Sequence, residues 1–162
     1  MRDERVKRLA LGGLLTSLVL LATWQVKVTL PLGAGYIHLG DGVIFLSSML
    51  LGRYAALIAA VGSALADLLS GYSVYIPATI IIKALMGLIV SMMFRSGKHV
   101  RNLGAFALAE TVMVCGYFAY EIFISNWGLA LTTIGPNLLQ AAAGVVLGLV
   151  FSLYLPHLKK MI

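Results

Sequence analysis

Five ionisable residues interrupt otherwise apolar stretches of this chain: Asp41, Asp67, Lys83, Glu110 and Glu121. A lone charge in hydrocarbon costs about 2.5 kcal/mol or more, so such residues pair with one another, hold a polar ligand or relay protons. At about 1.5 Å of rise per residue, Lys83 falls roughly 9 Å below the start of its run at Pro77, and Glu121 about 7 Å below the end of its own. Asp41 and Asp67 also lie near run ends on that side, so four of the five share one depth band. Asn137 and Gln140 enter the band from the last run, and Tyr36, His38, Tyr75 and Trp127 from the connecting segments. Apolar walls carrying a few placed polar groups are the composition of a small-molecule site. The mixture therefore predicts a pocket open to one side, lined by Lys83, Glu121, Tyr36, His38, Asp67, Tyr75, Trp127, Asn137 and Gln140. The competing reading is that the charges pair to hold helices together or snorkel to the headgroups, with Asp41 and Asp67 serving as caps beside glycines. Glu110 lies in the inner half of its run, where a structural pairing toward the basic residues of the opposite side is expected.

Other chemistries lack their residues. No Gly-x-x-x-x-Gly-Lys-Ser/Thr loop is present, so ATP binding by this chain is not expected. His38, His99 and His157 lack the spacing of a zinc protease or a bis-histidine haem site. Ser47, Ser48 and Ser63 have no buried histidine to activate them, and Cys115 is the single cysteine. The residues thus predict no catalytic set, no metal and no cofactor. A second signal is small residues at helical spacing: Gly13 and Ser17 with Gly12 and Thr16, then Ala56, Ala60 and Ala64, then Gly144 and Gly148. Such faces let helices approach closely in lipid, within the chain or against a partner.

The elements that must position these residues follow from composition. Of the 162 residues 60% are hydrophobic and 11% charged, with a mean hydropathy of +0.98, which excludes a soluble globule and a separate soluble catalytic domain. Six helices of roughly 20 residues would take most of the chain. Six apolar runs are read at 9–26, 37–52, 54–69, 76–94, 103–124 and 136–155, within one domain of residues 1–162. With six crossings, ten of the twelve Lys and Arg fall on one side: four before the first run, Arg53, then Arg95, Lys98 and Arg101, and finally Lys159 and Lys160. Because positive loops stay in the cytoplasm, the expectation is an all-α integral membrane bundle of six transmembrane helices with both termini cytoplasmic. The net charge of +6 is then a topology signal and not a nucleic-acid surface. Connecting segments at 27–36, 71–75 and 125–135 would face outward, and Pro77 and Pro136 would open the fourth and sixth helices.

Four stretches together resemble a known family: His38-Leu-Gly-Asp-Gly-Val, Leu51-Gly-Arg-Tyr-Ala-Ala, Gly62-Ser-Ala-Leu-Ala-Asp-Leu-Leu-Ser-Gly-Tyr and Pro77-Ala-Thr-Ile-Ile-Ile-Lys-Ala-Leu-Met-Gly. In order and spacing they are similar to the substrate-binding S components of energy-coupling factor (ECF) vitamin transporters, in the riboflavin, hydroxymethylpyrimidine and pyridoxine branch. The resemblance implies a vitamin or precursor bound at the extracellular side of a prokaryotic plasma membrane. It also implies an EcfT coupling protein and two ABC-type ATPases as partners, which use the ATP. Gly13 and Ser17 match the family's docking strip for EcfT, and the segment 29–40 matches its gate over the site. Pyridoxine or hydroxymethylpyrimidine is favoured over riboflavin. A solitary ion-coupled carrier, with Asp67 or Glu121 as the proton-linked carboxylate, and an integral-membrane lipid enzyme remain as alternatives.

Overall fold

The structure, a computed structural model, describes residues 2–29 and 36–161. It is a helical bundle: α1 (Arg2–Trp24), a short hairpin of β1 (Lys27–Thr29) and β2 (Tyr36–His38), α2 (Gly40–Leu51), α3 (Ala55–Ser70), α4 (Ile76–Met93), α5 (His99–Ile124) and α6 (Trp127–Met161). The antiparallel strands pair Lys27 with His38 and Thr29 with Tyr36. Five stretches have the length and apolarity of a membrane span: Asp3–Trp24, Gly40–Ser70, Ser73–Met93, His99–Ile124 and Trp127–Leu158. The exterior is correspondingly apolar, with Leu9, Leu57, Ile81, Phe123 and Leu153 among its exposed side chains.

The second stretch holds two helices, because the chain turns back within it. Gly52 takes a left-handed φ of 59° at the end of α2, and a single 3-10 turn over Gly52–Tyr54 leads into α3. Both sides of the turn meet Gly87 on α4: Ser48 donates to the Gly87 carbonyl at 3.1 Å, and a Cβ added at Gly87 would stand 2.9 Å from the Ala55 carbonyl oxygen. No side chain larger than hydrogen fits that crossing. At 12 residues, α2 is only about 18 Å long, well short of a hydrocarbon core of about 30 Å.

Helices α1 and α5 start several residues before their apolar runs and α6 ends beyond its own, and two further boundaries differ near the pocket. The second helix does not begin at 37, because residues 36–38 are drawn into the hairpin. More consequential is 125–135, expected as a loop, where α6 already runs from Trp127. The Asn126 side chain caps it by accepting the Leu129 N–H at 3.0 Å. Pro136 therefore lies inside α6 instead of opening it, at the cost of one backbone hydrogen bond to the preceding turn.

The core runs through the middle of the bundle, where Phe45 and Phe106 stack with ring centroids 5.0 Å apart beside Met86, Val90 and Met113. Gly148 faces that aromatic pair and Gly144 faces Glu110 and Asp41, so the small-residue strip of the last helix packs within the chain. Gly13 is different: it is exposed, and no atom stands within 4 Å of where its Cβ would be. Ser17 is exposed as well and bonds back to the Gly13 carbonyl at 3.0 Å.

Candidate functional site

A cavity of about 110 Å³ opens at the end of the bundle where α1, α3 and α5 finish and α4 and α6 begin. Seven of the nine residues predicted to line a pocket do border it: His38, Asp67, Tyr75, Lys83, Glu121, Asn137 and Gln140. Trp127 does not. It is 63% exposed and packs edge-on against Phe118, with centroids 5.7 Å apart, as expected of a residue in the first turn of a helix rather than in an arching loop. The side chain of Tyr36 lies outside the described residues, as does much of the 29–40 segment expected to gate the site.

One wall is a closed polar network. Lys83 reaches across from α4 to Asp41 at the start of α2, with Nζ 2.5 Å from Oδ1 and both residues almost fully buried. The other carboxylate oxygen, Oδ2, accepts from Gln140 Nε2 at 2.7 Å. Gln140 Oε1 in turn accepts the His38 backbone N–H at 2.6 Å, and His38 Nδ1 accepts the Gly40 N–H at 3.0 Å. Lys83 also sits 5.7 Å from the centroid of the Tyr117 ring, whose hydroxyl is 2.9 Å from Thr79 Oγ1. Both carboxylate oxygens of Asp41 are therefore occupied, and the buried Lys83 charge is balanced before any ligand arrives. An ammonium has three N–H donors, so one partner at Asp41 leaves Lys83 able to donate toward the cavity.

Glu121, on α5, is held differently. The Thr133 hydroxyl donates to Oε2 and the Tyr75 hydroxyl to Oε1 at 3.4 Å, and no cation pairs with it among the described residues. A carboxylate has about four lone-pair sites, so two donors leave room for a ligand N–H or O–H. The cavity thus presents a donor at Lys83 and an acceptor at Glu121 between aromatic and apolar walls that include Tyr117, Met113 and Leu129.

Sequence reasoning held Asp41 as a cap, and the structure makes it the partner of Lys83. It also left out Thr23, Ser63, Thr79, Tyr117 and Thr133. For Thr79 and Tyr117 a signal was available, since each precedes a chosen residue, Lys83 or Glu121, by four positions and so shares its helix face. The expected pairing of Glu110 toward the basic side is not made. Arg95 and Arg101 there donate to the last carbonyls of α4, at Phe94 and Met93. Glu110 is buried in mid-bundle, where Asp41 and Lys83 are the charged groups acting on it, and neither of its carboxyl oxygens has a hydrogen-bond partner among the described residues. Gly144 directly faces that carboxyl, and a Cβ there would displace the end of the Glu110 side chain.

Comparison with known proteins bears on the same chain length. A family model described as ECF-type riboflavin transporter, S component, matches residues 4–157. The thiamine precursor transporter HmpT of Lactococcus lactis subsp. cremoris (strain MG1363) is 30% identical over 154 residues, covering 94% of this chain and 89% of that protein. A Pyrococcus woesei protein, named only as an uncharacterized protein in the gap 3′ region, is 33% identical over 133 residues, 80% of this chain and 88% of its own.

Proposed function

Since the chain belongs to the ECF-type riboflavin transporter S-component family, a family of membrane transport proteins and not of enzymes, we propose that it captures a small heteroaromatic vitamin or vitamin precursor in the cavity beside Lys83. The observation that carries this reading is that the charge-balanced network of Lys83, Asp41 and Gln140 lines one cavity together with Glu121 in an otherwise apolar bundle. A ring with one acceptor and one donor would meet Lys83 and Glu121 at once, while Tyr117 and Met113 supply apolar contact. Hydroxymethylpyrimidine and pyridoxine are the favoured substrates, and likeness to a protein named as a thiamine precursor transporter supports the first of them. Riboflavin is the second reading, favoured by the description of the matching family.

Membership of this family implies association with an EcfT coupling protein and an ATPase module, and we assign ATP use to those partners, because this chain carries no phosphate-binding loop. The proposed topology has six crossings, both termini in the cytoplasm of a prokaryotic cell and the cavity opening outward. It is supported by the ten Lys and Arg that collect on one side in that arrangement.

Ligand binding to the purified protein tests the site. Mass spectrometry of copurifying small molecules identifies the ligand, and titration of that ligand follows on Lys83→Ala and Glu110→Ala. We expect Lys83→Ala to weaken binding at least tenfold, about the loss of one hydrogen bond to a charged group, and Glu110→Ala to change it far less. Wild-type affinity in Lys83→Ala would remove Lys83 from the site.

A further inference from the structure

Serine and threonine in these helices have a habit, and two of them break it. Thr16, Ser47, Ser48 and Thr111 each donate to the carbonyl four residues earlier, at 2.8 to 3.0 Å. Thr23 on α1 and Ser63 on α3 do not. They are 2% and 1% exposed, and their hydroxyl oxygens have no hydrogen-bond partner among the described residues. Both border the cavity. The other two serine or threonine side chains that border it are already engaged, Thr79 with Tyr117 and Thr133 with Glu121. Buried polar atoms without partners are rare in folded proteins, and a ligand is one of the few things that completes them.

The position of Thr23 is fixed by packing. The start of α2 presses against it so closely that a side chain at Gly40 would collide with the Thr23 hydroxyl. One turn beyond Ser63, on the same face of α3, Asp67 also borders the cavity. This wall therefore offers two groups that can each donate and accept, beside an acid, and no cation among the described residues. The charge of Lys83, elsewhere in the lining, is already balanced by Asp41. A carboxylate or phosphate would meet repulsion from Asp67, whereas a neutral alcohol would satisfy both hydroxyls.

We propose that Thr23 and Ser63 form a subsite for the alcohol group of the ligand, so that they select a ring bearing a hydroxymethyl or hydroxyl arm over the same ring without it and over its phosphate ester. The proposal rests on the cavity being the vitamin site. A pocket built to hydrogen-bond a hydroxyl discriminates against the analogue lacking it, because the pocket's own polar atoms are then left unpaired.

The test uses the full chain in detergent and three pairs of an alcohol with the same ring stripped of its alcohol arms: hydroxymethylpyrimidine and its methyl counterpart, pyridoxine and 4,5-dideoxypyridoxine, riboflavin and lumiflavin. Each pair is titrated against wild type, Thr23→Val and Ser63→Ala, and thermal midpoints are read without ligand. Each substitution should lower affinity for the alcohol about 3- to 10-fold and leave the deoxy partner within about 2-fold, the loss of one neutral hydrogen bond. The ligand-free midpoint should hold or rise, since an unpaired buried hydroxyl has been removed. A fallen midpoint, an equal loss for both members of a pair, or no loss at all would overturn the subsite and leave the vitamin reading standing. Wild type binding none of the three alcohols would overturn both.

Discussion

α4 lies inside the bundle and α1 along its edge. α4 packs against α2, α3 and α5 and buries Ala78, Thr79, Ile82, Lys83, Met86, Gly87 and Val90 along nearly its whole length. Among the helices α1 packs chiefly on α2 and α3, and it buries a single stripe of Leu15, Val19 and Thr23, spaced one turn apart. Val6, Leu9, Leu14, Leu18 and Leu21 on its other faces stay exposed. Two helices of similar length and apolarity thus do different work. Interior positions of α4 hold this chain together and carry Lys83 of the proposed ligand site, and the open side of α1 is left for contacts the chain does not make with itself.

The sharpest way to break the comparison is at Lys83. Removing the cation strands Asp41, which is fully buried and whose other side-chain hydrogen-bond partner among the described residues is Gln140. Breaking a buried pair from one side costs about 3–5 kcal/mol, so Lys83→Met should lose a stability of that order in a detergent unfolding titration. Adding Asp41→Asn should recover most of it, because the uncompensated charge is then gone. A Lys83→Met protein as stable as wild type would mean that the pair contributes nothing to the interior of α4.

Gly87 tests the same helix through shape. Its missing Cβ is what lets α4 touch the Ala55 backbone, and backbone moves less readily than a side-chain end. Gly87→Val should cost about 1–3 kcal/mol from overpacking, with a lower thermal midpoint and weaker ligand binding as Lys83, one turn away, is displaced. Unchanged stability and affinity would mean that the turn at Gly52–Tyr54 yields.

The same contrast explains what could be read from the chain without its fold. Depth is a local quantity, set by rise per residue, so the band shared by Asp67, Lys83, Glu121 and Gln140 was legible. Partnership is not local. The Lys83–Asp41 pair joins positions 42 residues apart, and nothing in residue type distinguishes it from a Lys83–Glu121 pair. The start of α6 was hidden by Pro136, which signals a helix start on its own, although the cap at Asn126 outweighs it and the apolar residues 129–131 extend the helix back. Thr23 was not singled out and Ser63 was weighed only as a nucleophile, because residue type does not distinguish a helix hydroxyl that bonds its own backbone from one that does not.

The smallest effect on the isolated protein is expected at Gly13, and it separates the two helices most cleanly. With open space around its Cβ position, Gly13→Leu meets no clash. Exchanging a helical glycine for leucine should leave stability unchanged or raise it by up to about 0.5–1 kcal/mol. Ligand affinity should also hold, since Gly13 lies more than two turns from Thr23, the cavity residue on its own helix. Transport is another matter. In lipid there is no hydrophobic drive between helices, so a docked partner depends on close backbone approach along a strip such as Gly13 and Ser17. A leucine there holds the two surfaces apart. The expected outcome is normal ligand titration in detergent with lost uptake in proteoliposomes containing EcfT and both ATPases. Lost affinity would show that the strip supports the cavity, and undiminished uptake would move the docking surface to another exposed face of the bundle.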